Sequence, residues 1–366
     1  MINNLLVLYN PYYNNEVIEL HLELLKKNGV VAFGKVRSTL RDYEHPNQET
    51  LDEIYNQTSK ENPLQIFLTD YNSIYVANVI SVNKDIKFIK VPQYYEDLEV
   101  EYWFVFDDLR LIVHHDFELI RDKVLTNFKA TNFNNRTYAI YGNPYVYPMQ
   151  ITMKEEINYF EKEDEKFKFY TDIFKSQEQL LMKQNLIDFN FGKEIFYSFT
   201  PNSQDNIISA EIEYMQNKEN ILYDFSAVVL KYAKAVEDEL YRFMKKLFKF
   251  LMEHDGYLKA FPYQVQGRKY QLQDIINYKP NFGTYAYLIK SYEIKKSLHE
   301  YIQDKTLKHF ILFEIPMFIK KMQNVRNESV HGNTTSFQEC NTIREEVIGI
   351  GKKGMLSAFI QMESQV

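Results

Sequence analysis

The chain has 366 residues, enough for two or three domains each with its own core. An apolar fraction of 45% and a charged fraction of 25% are those of a soluble globular protein, while a net charge of −7 excludes a global basic field for holding nucleic acid or anionic lipid. One cysteine, Cys340, excludes an internal disulfide. The first residues carry no basic export signal, and no run approaches the ~20 apolar residues of a membrane span, so a cytoplasmic protein with no membrane partner is expected. Only nine of the 43 cationic residues are arginines, which makes each Arg more informative than a Lys.

Residues 1–150 alternate strand and helix signals. An apolar run at 5–9 stops at Asn10-Pro11. Residues 17–27 have helical spacing and end at Asn28-Gly29, a helix C-cap pattern. A strand at 30–37, a helix at 49–60 and strands at 64–69 and 73–82 follow, the last two joined by the turn residues Asp70-Tyr71-Asn72. Residues 86–91 and 100–106 read as further strands, and 138–151 as one or two more. The pattern predicts a mixed α/β unit, a small curved sheet or barrel with helices outside.

Residues 151–219 read as a helical connector, because 154–175 places Glu, Lys, Phe and Tyr at helical spacing and is too aromatic for a solvated linker. From 220 to 366 the pattern is all-helical, so the fold class is α+β. Asp224 or Ser226 caps a helix on which Val229, Ala233, Val236, Leu240, Phe243, Leu247 and Phe250 recur at three- and four-residue steps, until Asp255-Gly256 stops it. Thr284 opens another helix, and Pro316 suits a first turn. Ser336-Phe-Gln-Glu339 is a capping box. Four or five helices with short connections make a bundle.

The penultimate helix leads into Arg326-Asn327-Glu328-Ser329-Val330-His331-Gly332. An Arg and a His four to six residues apart arise by chance about 0.6 times in such a chain, so the intervening Asn and the helical setting carry the weight. This element resembles the signature of the HEPN (higher eukaryotes and prokaryotes nucleotide-binding) superfamily, many of whose members cleave RNA without a metal, and the residue types suit the chemistry that the resemblance implies. His331, with an ordinary pKa near ~6.5, can take or give a proton at the ribose 2′-hydroxyl. Arg326 offers a planar fork to the charge building on phosphate, and Asn327 can bond a phosphate or orient the imidazole. Five residues of ideal helix turn by about 500°, leaving the two side chains roughly 140° apart. They converge only where the helix unwinds near Gly332, or where a second copy completes the site. The plain alternative is an Arg–carboxylate pair and a His at a helix C-terminus, where the dipole favours it.

From the opening helix at Asp224 to the capped helix after the signature, residues 220–362 resemble the HEPN superfamily. Many of its members are metal-independent ribonucleases that dimerise so that two signatures face one cleft. The resemblance implies an endoribonuclease of a bacterial toxin or anti-phage type, with RNA as partner, a homodimer, and no cofactor. Lys320 and Lys321, one to two turns before Arg326, are candidate RNA-backbone contacts. Two other readings stand beside this one. The helical domain is an inert dimerisation module whose function is RNA or nucleotide recognition, or it regulates a neighbouring protein such as an antitoxin.

Phe33-Gly-Lys-Val36, the hairpin around Asp70-Tyr71-Asn72, and Tyr102-Trp103-Phe104 resemble PUA-like or EVE-type barrels, which implies an RNA- or base-binding N-terminal domain. Trp103 and Tyr102, with Tyr71 and Tyr75, are candidates for stacking, and Arg37, Arg41 and Arg136 for charge. The alternative is that these aromatics fill a core.

Gly349-Ile-Gly351-Lys-Lys-Gly354 spells a dinucleotide-binding pattern but follows a helix, so it reads as a break in the last helix. His114-His115 has no local metal-ligand spacing, Cys340 no basic neighbour, and Asp107-Asp108 no paired acid.

Overall fold

The structure is a computed structural model that describes residues 2–10, 14, 16–37, 45–161, 171–265, 267–330, 334–350 and 353–366, and only the backbone of 325–330. Two compact units divide the chain, Met1–Phe174 and Lys175–Val366. The first holds an eight-stranded sheet with helices, and the second is helical with one small hairpin.

In the first unit the strands are β1 (Asn3–Leu8), β2 (Val31–Val36), β3 (Leu64–Thr69), β4 (Ile74–Asn83), β5 (Val100–Val113), β6 (Phe128–Ala130), β7 (Arg136–Thr137) and β8 (Met149–Met153). Their order is β2-β5-β4-β3-β1-β8-β6-β7, with β1 and β3 parallel and the other pairings antiparallel. Period-two alternation sends Leu5, Val7, Leu64, Ile66 and Leu68 to one face and Leu6 and Phe67 to the other. The first face is covered by helices α1 (Val17–Asn28) and α2 (Gln48–Gln57), through Val17, Ile18, Leu25, Leu51 and Ile54. The second face packs on Ile120, Val124 and Leu125, just after a short helix α3 (Phe117–Leu119), and on Tyr138, Tyr145 and Tyr159. Gly29 ends α1 at φ 74°, its N–H bonded to Leu25 O at 2.8 Å, as the Asn-Gly signal predicts.

Strand β5 is the element that bends the sheet. Residues 100–106 pair with β2, while 103–113 pair with β4 through three register shifts. Such bulges raise the local twist. The expected strand at 86–91 is absent: the segment follows β4 without joining the sheet, and Phe88 there is 95% exposed, so its apolar side chains have no core to enter. The expected helix over 154–175 is also absent among the described residues. Buried side chains take the backbone bonds instead: Gln65 Nε2 donates to Ile157 O (3.1 Å), Tyr159 N–H to Gln65 Oε1 (2.9 Å), and Arg110 Nη1 to Tyr159 O (2.6 Å).

The second unit contains α4 (Gln177–Leu186), α5 (Lys193–Ser198), α6 (Pro201–Asn217), α7 (Ser226–His254), α8 (Phe282–Lys290), α9 (Tyr292–Tyr301), α10 (Lys305–His309), α11 (Ile315–Val330), α12 (Phe337–Ile348) and α13 (Met355–Glu363). Helix α7 is the axis, with α6, α11, α12 and α13 packed against it. Its predicted face is buried at Val229, Ala233, Val236, Leu240, Phe243 and Leu247. Three helices are clasped through Glu211 of α6. Its carboxylate takes two bonds of 2.7 Å from Arg344 of α12 and the hydroxyl of Tyr232 of α7.

The all-helical expectation fails at one place. Pro262–Val265 (β9) and Arg268–Gln271 (β10) form a hairpin around Gly267 at φ 81°, a turn signal that the helical pattern passes over. The helix expected from Thr284 is two helices, divided where Ser291 adopts ψ 149°. Pro316 follows a π-helical stretch, Phe310–Glu314, rather than opening a helix after a loop; that wider turn accommodates the missing N–H and the ring. Gly349 caps α12 at φ 85°, and a Cβ on Gly354 would lie 2.5 Å from the Ile348 carbonyl carbon. These two glycines turn one helix into the next; Gly351 lies outside the described residues.

Candidate functional site

Helix α11 runs through Arg326 and Asn327 to Val330. The side chains of Arg326 and Asn327, and His331 as a whole, lie outside the described residues. What the structure places is their surroundings. Beyond the signature, Thr335 N–H donates to Asp224 Oδ1 (2.9 Å) and its carbonyl accepts from Phe225 N–H (3.0 Å). Asp224 also accepts from Ser226 N–H and Oγ at 3.0 and 2.6 Å, and these bonds hold its carboxyl below the usual range. Asp224 therefore joins the start of α7 to the segment after the signature. The predicted capping box follows, with Ser336 Oγ accepting from Glu339 N–H (3.3 Å) and Ser336 N–H donating to Glu339 Oε2 (2.8 Å).

Of the two lysines before the signature, Lys320 is exposed, and Lys321 is half-buried and ion-paired with Glu346 of α12. Phe313, Met317 and Lys320 recur on the exposed side of this helical run. Cys340 is buried, and burial, with Glu211 nearby, pushes its thiol up to about 12.

The aromatic residues chosen from the first unit's sequence do not converge. Trp103 packs edge-on against Tyr95, ring centroids 5.0 Å apart. Tyr71 joins Tyr138 and Tyr147 in a cluster of hydroxyls at 2.6–3.1 Å. Tyr75 meets the ring of Tyr9 edge-on at 6.5 Å. Arg37 pairs with Glu99, Arg136 is exposed on β7, and Arg41 lies outside the described residues. Asp108 pairs with the buried Arg110, Asp107 accepts from Asn78, and the rings of His114 and His115 lie 4.1 Å apart.

Of these candidates Tyr102 and Arg37 line a cleft of the first unit, a cavity of about 1040 Å³. The end of β1, the second half of β2, the start of α2, the start of β5 and the Tyr147-Pro148 segment form its walls. Tyr9, Tyr94, Tyr95 and Tyr147 also face it. Gly34 of β2 sits where a Cβ would meet Tyr95 at 2.7 Å and Trp103 at 2.9 Å, so the absence of a side chain lets these two rings pack over the strand, with Tyr95 facing the cleft. Tyr95 Oη accepts from Gly34 N–H at 2.9 Å and lies 3.4 Å from Nε2 of His21, which burial holds down to about 4.

The polar side of the cleft is organised around Asp52. Its Oδ1 accepts from Tyr102 Oη (3.1 Å) and Gln48 Nε2 (2.9 Å), and Gln48 Nε2 also lies 3.1 Å from Tyr102 Oη. The cations are engaged: Lys35 pairs with Glu101, Arg37 with Glu99, and Lys84 lies over the Tyr102 ring at 5.7 Å. No sequence spacing announces this group, whose partners are 50 and 66 residues apart. The only local hint is Gly34 inside a strand. The chain matches no protein-family model, no curated protein and no solved structure.

Proposed function

We propose that the protein is an endoribonuclease that needs no metal, of the HEPN type, acting in the cytoplasm as a bacterial toxin or defence effector. The observation that carries this reading is Arg326-Asn327-x-x-x-His331 at the end of a core-packed helix of a helical unit. Thr335, four residues after His331, is tied to the start of α7 through Asp224, which supports a helical unit that brackets the signature on both sides. His331 acts as base or acid at the 2′-hydroxyl, Arg326 stabilises the phosphorane charge, and Asn327 orients one of them. A second copy completes the site, with Lys320 as an RNA contact. The first unit, which the sequence likens to PUA-like barrels, selects or senses the target.

The test is cleavage of labelled RNA by the purified full chain. Wild type cuts, whereas Arg326→Ala and His331→Ala fall by about 10²–10⁴-fold, the usual loss for a general acid–base group. Undiminished cleavage by His331→Ala overturns the assignment.

The tyrosine-lined cleft favours a second reading, in which the helical unit only dimerises or regulates a neighbouring antitoxin-like protein and the first unit binds the ligand. Under it, Arg326→Ala leaves the cellular phenotype intact while Tyr102→Ala removes it.

A further inference from the structure

We propose that the cleft of the first unit binds an uncharged, planar, amino-bearing nitrogen heterocycle, the chemistry shared by adenine, cytosine and guanine. The proposal deepens the sensing role above, and binding is measurable whether or not the chain cleaves RNA.

Charge excludes the alternatives first. Lys35, Arg37 and Lys84 face Glu49, Asp52 and Glu101 in the lining, three against three. Lys35 and Arg37 hold carboxylates and Lys84 lies over a ring, so a polyphosphate would compete with two ion pairs and meet three carboxylates of the same lining. A neutral ligand breaks none. Shape and lining come next. Tyr9, Tyr94 and Tyr147 line the cleft together with Tyr102, an aromatic lining that suits a flat ring.

The recognising edge is set by Asp52. Its Oδ1 is occupied by Tyr102 and Gln48, while Oδ2 holds no hydrogen bond among the described residues. A carboxylate only accepts. The Nε2 of Gln48 is spent on Asp52 and Tyr102, which leaves its Oε1 as a second acceptor. Two acceptors side by side select a ligand that presents N–H groups. An exocyclic amine fits, whereas the carbonyl-rich edge of uracil meets like dipoles.

Titration calorimetry on the full chain tests this with adenosine, guanosine, cytidine, uridine, the matching triphosphates and a short single-stranded RNA. At least one amino-bearing nucleoside binds, uridine binds at least ten-fold more weakly, the triphosphate gains nothing, and raising salt changes the affinity by less than about two-fold. Asp52→Asn weakens binding by ten-fold or more, the scale of a lost charge-assisted bond. Tyr102→Phe, which keeps the ring, stays within about three-fold, and Tyr102→Ala loses binding. Tighter Asp52-dependent binding of the RNA assigns the heterocycle to a base in a strand rather than to a free nucleoside, and supports the same chemistry. Absence of heat with every nucleoside at millimolar concentration, strongest binding by triphosphates with steep salt dependence, or indifference to both Asp52→Asn and Tyr102→Ala overturns the proposal. RNA cleavage by the same preparations is read separately.

Discussion

The two units gather their chemical groups in opposite ways. In the helical unit the candidate residues are neighbours in sequence, Arg326 to His331, on and after one helix. In the sheet unit the cleft is assembled from partners as distant as Lys35 and Glu101, brought together by the pairing of β2 with β5. The cores differ likewise: one continuous core around α7 against two separate ones, a core on each face of the sheet. A local motif is readable before the fold is known, and a cleft closed by strand pairing is not.

The only tryptophan, Trp103, lies in the sheet unit, so its fluorescence reports that unit while far-ultraviolet dichroism is dominated by the helices. The two probes let each substitution be assigned. The largest stability effect belongs to Arg344→Ala, which strands the buried Glu211 carboxylate among three helices. It lowers helical-unit stability by about 3–5 kcal/mol and leaves the Trp103 transition unmoved. A loss below about 1 kcal/mol would mean that the clasp does not hold the helices together.

Next is the acid sensitivity of the sheet unit. His21 is neutral when buried, with a pKa near 4 against an ordinary 6.5. The unfolded chain therefore takes the proton first. The stability contributed by the neutral ring is complete above pH 6.5 and is lost as pH falls towards 4, by up to about 3 kcal/mol. His21→Asn, which keeps a donor for Val17 O, flattens the Trp103-detected slope by about one proton. An unchanged slope would place the titration elsewhere.

Gly34→Ala forces Tyr95 and Trp103 apart and costs the sheet unit about 1–3 kcal/mol, with a shift in tryptophan emission. The smallest effect is Ser336→Ala, about 1 kcal/mol in the helical unit from the lost cap. A larger loss, or one seen by Trp103, would break the separation drawn between the units.

Much of the secondary structure was legible because its signals are local. The α1 stop at Gly29, the bounds of β3, the buried stripe of α7 and the Ser336 capping box each rest on residues a few positions apart. The errors share a cause of the opposite kind. The 86–91 segment has strand-like residues, but it pairs with no strand of the sheet and leaves Phe88 in solvent. The 154–161 stretch is held irregular by Gln65 and Arg110, side chains remote in sequence. The site divides along the same line. The Arg326 signature was readable from spacing, and its side chains lie outside the described residues. The cleft was read only through Tyr102 and Arg37; Asp52, Gln48 and Tyr95 carried no spacing to mark them.

The central claim is tested most directly by the ends of the RNA that the full chain produces in EDTA. Attack by the 2′-hydroxyl, with His331 moving the proton and no metal, leaves 2′,3′-cyclic phosphates, and His331→Ala produces none. Cleavage that requires a divalent cation, that leaves 5′-phosphate and 3′-hydroxyl ends, or that persists in His331→Ala contradicts it.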